Sequence, residues 1–153
     1  MPAVDISLRS TLIAPTRRDA LNRVLNWAEC FRGKPLASIF SFDPISNEVW
    51  LRYKMALAEG FTNVVRHAHE GLPPETPIEL RVQIEASRLA LQIWDMGPPF
   101  DFQGELEALL AQPRPRPPAA GGYGFAILYQ AADEWEYGRG ADQRNCLTLV
   151  WNL

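Results

Sequence analysis

Residues 78–93 constrain the fold more than any other stretch of the chain. In IELRVQIEA, Ile78, Leu80, Val82 and Ile84 alternate with Glu79, Arg81, Gln83 and Glu85. After a polar turn near Ser87-Arg88, LALQIWD continues the period with Leu89, Leu91 and Ile93. A period of two puts all the apolar side chains on one side, so the two arms read as a hairpin with one buried face and one facing water. The buried face needs a second layer, which the helical segments elsewhere supply.

Those segments flank the hairpin. Residues 3–13 alternate imperfectly (Val4, Ile6, Leu8) and read as an edge strand. Pro15-Thr16 then opens a helix, with Thr16 as N-cap and Leu21, Val24, Leu25 and Ala28 as its apolar stripe. Residues 34–44 read as a connector. A long helix is expected from about Ile45 to Ala68, stopped by Gly71-Leu72-Pro73-Pro74. After the hairpin, a long connection runs from about 98 to 121. It contains a helical candidate, GELEALLAQ, and the run PRPRPP, and connections of this length are usually lids or binding loops. A helix from Gly124 to about Ala132 and strands at 134–137 and 146–153 close the chain. The expected class is α+β: a two-layer sandwich, a mostly antiparallel mixed sheet with helices on one face, in a single domain over 1–153.

Composition narrows the function classes. A chain of 153 residues with 47% apolar and 22% charged residues is an ordinary soluble globule. It is long enough to bury roughly 70% of the surface exposed when unfolded. The net charge of −3 argues against direct nucleic-acid binding. No run approaches the roughly 20 apolar residues of a membrane span. MPAVDISLRS lacks the pattern of a signal peptide, so the expected location is cytoplasmic. Cys30 and Cys146 form no CxxC and read as two buried free thiols.

Three short motifs carry chemistry. Glu59, Asn63 and His67 recur every four residues in ALAEGFTNVVRHAHEG. On an α-helix they fall within an arc of about 80°. A carboxylate, an amide and an imidazole suit a polar cavity better than a core. Asn63 offers an oxygen to a hard cation such as magnesium, and Glu59 can act as a general base. A solvated helix face has the same look. Zinc is disfavoured, because His67 and His69 point to different faces with no Cys nearby. The second motif is Asp95-Met96-Gly97 at a strand end: Asp95 can accept from an exocyclic amine, and Gly97 lets a ligand ring approach the backbone. The third is Gly121-Gly122-Tyr123-Gly124 before FAILYQ, whose free backbone N–H groups can cradle phosphate. Neither a Walker loop nor a dinucleotide fingerprint is present.

In this order, the three motifs resemble those of the GHKL (Bergerat-fold) ATPases, and AEGFTNVVRHAHEG is most similar to the anti-sigma-factor serine/threonine kinase branch. The resemblance covers nearly the whole chain. It implies that Glu59 is the general base toward a protein hydroxyl, Asn63 the magnesium ligand, Asp95 and Gly97 the adenine-reading pair, and Gly122 and Gly124 the phosphate contacts. His67 fits the helix pattern, either as a ligand contact or as a structural hydrogen bond. The implied cofactors are ATP and Mg2+, with residues 98–121 as ATP lid. The chain departs from the pattern at Pro99, where the family usually has a second glycine, and this removes an N–H and stiffens the lid hinge.

The resemblance further implies a kinase of a partner-switching circuit in signal transduction and transcription regulation. It would phosphorylate a STAS-type antagonist protein and engage a sigma factor or other regulatory target, and a homodimer is compatible with the family. Two alternatives stand beside it: a non-catalytic module that uses ATP as a conformational ligand, and a histidine-kinase catalytic-type domain.

Overall fold

The hairpin finds the second layer its alternation demands. The computed structural model describes the backbone of residues 5–111 and 123–153, and the side chains of all of these except 123–125. Strands β1 (Leu8–Pro15), β2 (Pro77–Ile84), β3 (Arg88–Asp95), β4 (Glu134–Arg139) and β5 (Asn145–Asn152) form one sheet in the order β1-β2-β3-β5-β4. The expected mostly antiparallel sheet is antiparallel at every pairing. Register places Leu80 opposite Ile93 and Ile93 opposite Leu147, so the alternating apolar residues of three strands share one buried face. The fold class is α+β, as the alternation required.

The helices are α1 (Leu21–Glu29), α2 (Lys34–Phe40), α3 (Asn47–Asn63), α4 (Phe102–Leu110) and α5 (Tyr123–Ala131). Ser46 caps α3 by accepting from the Val49 N–H at 3.2 Å, and Glu48 lies in the positive first turn. Trp50, Tyr53, Ala56, Leu57 and Phe61 are the face that α3 buries. Gly60 is the point of closest approach to the sheet: a Cβ there would overlap Ile93 Cδ1. The polar end of α3 is thereby pressed against the end of β3. Asp101 caps α4 through the Gly104 N–H at 3.0 Å. Phe102 then stacks on Tyr137 with ring centroids 5.4 Å apart and meets Trp135 at 4.6 Å, anchoring α4 on β4.

Four expectations change. Thr16 is not an N-cap: a 3₁₀ turn (Arg18–Ala20) precedes α1 with no side-chain cap, and the Thr16 hydroxyl is engaged elsewhere. The connector at 34–44 contains α2, whose Pro35 sits in the first turn, where a missing N–H costs nothing. The long helix is α-helical only to Asn63, and Val64–Ala68 forms a π-helical turn. Cys30 is exposed, while Cys146 is partly buried, and both are free.

Among the described residues no helix is long and apolar enough to cross a membrane.

Candidate functional site

Asp95 ends β3 and is 6% exposed. Its Oδ1 accepts the Gly97 N–H at 2.8 Å, closing a turn over Met96, and also Asn145 Nδ2 at 3.0 Å. Asn145 faces Asp95 across the β3–β5 register. The same amide reaches the Gly97 carbonyl at 3.2 Å and the Pro98 carbonyl at 2.9 Å. Arg139 donates to Asn145 Oδ1 at 3.0 Å, which fixes which way the amide points. Oδ2 of Asp95 has no hydrogen-bond partner among the described residues, so the buried carboxylate keeps one acceptor to offer.

Gly97 faces a backbone wall. A Cβ at this position would overlap the carbonyl oxygen of Ala68 in the π turn. The turn after β3 thus leans directly on the segment that follows Asn63. Two contacts therefore bring the first two motifs together: Gly60 against Ile93 before the turn, and Gly97 against Ala68 within it. Tyr137, on the buried side of β4, lies in the same neighbourhood. Burial pushes its phenol up to about 12, the Asp95 charge adds to the rise, and Arg139 opposes it.

Glu59 and Asn63 stand one turn apart on α3, both half-buried. Neither side chain has a hydrogen-bond or ion-pair partner among the described residues. Polar groups in that condition are normally satisfied by solvent or a ligand. His67 lies beyond them in the π turn, which carries an i→i+5 bond from the His69 N–H to the Val64 carbonyl at 2.9 Å. His67 is exposed and has no hydrogen bond among the described residues. It lines a separate groove of about 500 Å³ with Thr16, Arg18, Arg66, His69 and Leu72, from which Glu59, Asn63 and Asp95 are absent.

The histidine that meets the Asp95 turn is His69, which is 2% exposed. It accepts the Met96 N–H at Nε2, 2.8 Å away. The structural hydrogen bond allowed for at His67 is made here, two residues later. His69 and Asn145 are the two site residues that sequence reasoning missed. The local signal for His69 was its place in RHAH, and only knowledge of the π turn would have chosen between the two rings. Asn145 has no such signal, since DQRNC reads as a turn.

Of the glycine motif, Gly121 and Gly122 lie outside the described residues, and Gly124 lies in the first turn of α5. The lid expected at 98–121 is described to 111, including α4.

The groups present fit a purine nucleotide and a hard cation. Among the described residues a buried carboxylate has a spare acceptor with a glycine backbone beside it, and an amide and a carboxylate without partners sit one helical turn apart. Among the described residues no group of three or more His, Cys, Asp or Glu side chains is placed to hold a metal ion.

Comparison with known families matches residues 18–151 to the histidine kinase-like ATPase domain. Two solved structures resemble the chain in fold. One is a structure of the RsbU and RsbW domains of Rv1364c from Mycobacterium tuberculosis, with TM-score 0.59 and 14% identity. The match covers 94% of this chain but 32% of that one, so this chain spans about a third of its length. The other is the SiaB-SiaC complex from Pseudomonas aeruginosa, with TM-score 0.60, 12% identity, and 97% and 92% of the two chains covered. Comparison with curated protein sequences gave no significant match.

Proposed function

The chain belongs to the family of histidine kinase-like ATPase domains, and from that premise we propose that it is an anti-sigma-factor-type serine/threonine kinase. It binds Mg-ATP and transfers the γ-phosphoryl group to a STAS-type antagonist in a partner-switching circuit. The observation that carries this reading is the joining of two half-built sites. Oδ2 of buried Asp95 and the side chains of Glu59 and Asn63 have no partner among the described residues, and the contacts of Gly60 with Ile93 and of Gly97 with Ala68 join the elements that carry them.

In this reading Asp95 accepts from the adenine amine beside the Gly97 backbone. Asn63 would hold magnesium, which when bound would supply charge neutralisation. Glu59 takes the proton of the attacking hydroxyl as that oxygen bonds to the γ-phosphorus and the bond to the ADP oxygen breaks. Gly122 and Gly124 would offer backbone N–H groups to the phosphates, and His67 would at most touch the ligand from the rim. A structural relative solved as one half of a two-protein complex supports a protein partner.

Two measurements test the reading in order. Thermal unfolding with Mg-ATP at about 100 times its Kd should show roughly 2.7 kcal/mol of added stability, and no shift at millimolar nucleotide overturns it. Capture from the native cell with ATP present, followed by phosphosite mapping, should then find a phosphoserine or phosphothreonine on the bound antagonist. Nucleotide binding without ADP or phosphoprotein would instead favour a binding module switched by ATP.

A further inference from the structure

His69 takes no part in the proposed transfer, yet each ring nitrogen of this buried imidazole is bonded. Nδ1 lies 2.7 Å from Thr16 Oγ1, and Thr16 gives its hydroxyl proton to the Thr76 carbonyl, also at 2.7 Å. A hydroxyl has one proton to donate, so the hydrogen between Thr16 and His69 sits on Nδ1. The other nitrogen, Nε2, is therefore free to accept, and it takes the Met96 N–H. The ring is neutral and held in one tautomer. It ties the chain just past β1 and the turn before β2 to the residue between Asp95 and Gly97.

We infer that His69 is the positioning residue of the Asp95–Gly97 turn, holding it in binding-ready shape only while the ring is neutral, so that nucleotide affinity is gated by a proton; the inference rests on the nucleotide reading above. A proton added at Nε2 turns the acceptor into a donor facing an N–H that also donates. The bond to Met96 is lost and the turn is released. The new positive charge also draws on Asp95 and competes for the oxygen that meets the purine amine. The charged or titratable groups that line the groove beside the ring are Arg18 on the 3₁₀ turn, and Arg66, His67 and Glu70 on its own segment. Burial lowers the affinity of this ring for a proton, with Asp95 pulling the other way. Proton and nucleotide thus compete, each weakening the other by the same factor.

The test compares the full chain with His69→Gln, whose side-chain oxygen can replace Nε2 as acceptor but does not titrate. ADP affinity is measured by calorimetry at fixed magnesium from pH 7.5 to 5.5. Both proteins meet the same titration of the ADP phosphates, so the ratio of their affinities isolates His69. Whatever affinity the variant has at pH 7.5, the wild-type protein should lose about threefold or more relative to it as pH falls to 5.5. Parallel profiles overturn the inference. A second measurement needs neither nucleotide nor variant: in the free wild-type protein, the Met96 amide resonance should titrate with the His69 imidazole nitrogens and with the same midpoint. A Met96 amide that stays fixed while His69 titrates overturns the clamp. Absence of ADP binding by both proteins at pH 7.5, with Met96 still following His69, would sink the nucleotide reading and the coupling to it but leave the clamp standing.

Discussion

Asn145 donates its side-chain amide to Asp95 Oδ1 at 3.0 Å, from directly across the β3–β5 register. This pairing leaves Oδ1 engaged and Oδ2 without a partner among the described residues. Asp95→Asn replaces a charged acceptor by an amide that can present its N–H₂ in the same place. Hydrogen bonds to charged groups contribute about 1.5–3 kcal/mol, so ADP affinity should fall about 10- to 100-fold with little change in urea midpoint. Asn145→Ala should behave differently. It leaves Asp95 and the Gly97 and Pro98 carbonyls short of a donor, costing about 1–3 kcal/mol of stability. Equal stability of Asn145→Ala and wild type would remove it from this role.

Gly97 and Gly60 both mark close approaches, but with different partners. A methyl group at Gly97 meets the carbonyl of Ala68, which is backbone and cannot step aside. Gly97→Ala should therefore cost about 1–3 kcal/mol and weaken ADP binding, as the turn is pushed off the π segment. At Gly60 the obstacle is Ile93 Cδ1, the far end of a side chain. Alanine there also gains about 1 kcal/mol in helix propensity, so Gly60→Ala should be much milder. Chemical denaturation of the two variants decides the matter, and the opposite ranking would contradict these packing contacts.

The same two glycines show what could be read in advance. The alternation from Ile78 to Ile93 specified a hairpin, its buried face and the need for a helical layer, because a period of two leaves no choice of side. Glu59 and Asn63 were legible because the α-helix does hold as far as Asn63. The geometry beyond Asn63 was not. VVRHA is compatible with α or π turns, and what accompanies the π turn is the fit of Ala68 against Gly97, a contact between segments nearly thirty residues apart. It is His69, at the end of that turn, that meets the Met96 N–H, while His67 stays exposed. Thr16 was misassigned for a related reason: Ser or Thr before a helix usually caps it, but here the hydroxyl satisfies His69 and Thr76 instead. Asn145 reaches the site through its pairing with Asp95 across the sheet, and such pairing is invisible in a single strand.

Acid should unfold the chain in two stages. Burial holds the His69 imidazole below its ordinary value near 6.5, against the pull of Asp95. The unfolded chain therefore binds this proton more readily than the folded one. The stability from a neutral His69 is fully present above about pH 6.5 and is lost as pH falls below it. A second loss follows at lower pH. Glu79, held low by hydrogen bonds from Arg81 and Arg144, and Asp133, held low by Arg52, resist protonation when folded. Their contributions are present above the ordinary carboxylate range and disappear as pH drops through and below it. Urea midpoints measured from pH 7.5 to 3 should show both limbs, and His69→Gln should erase only the first. A flat wild-type profile between pH 7 and 5 would contradict the neutral, fully bonded ring.

Glu59 and Asn63 are neighbours on one helical face, yet the proposed roles predict opposite defects. Glu59→Gln preserves shape and hydrogen-bonding capacity while removing the base. Phosphoryl transfer to the antagonist should drop about 10²- to 10⁴-fold, with ADP affinity within about threefold of wild type. Asn63→Ala removes an oxygen ligand from the cation. Its ADP affinity should lose most of its dependence on magnesium, while binding in the presence of a chelator stays near the wild-type value. Neither residue has a partner within the described protein whose loss would unfold it, so both variants should keep wild-type urea midpoints. Calorimetry at several magnesium concentrations, with a single-turnover transfer assay, separates the two defects. Undiminished transfer by Glu59→Gln would take the base role from it, and an unchanged magnesium dependence in Asn63→Ala would take the cation from Asn63.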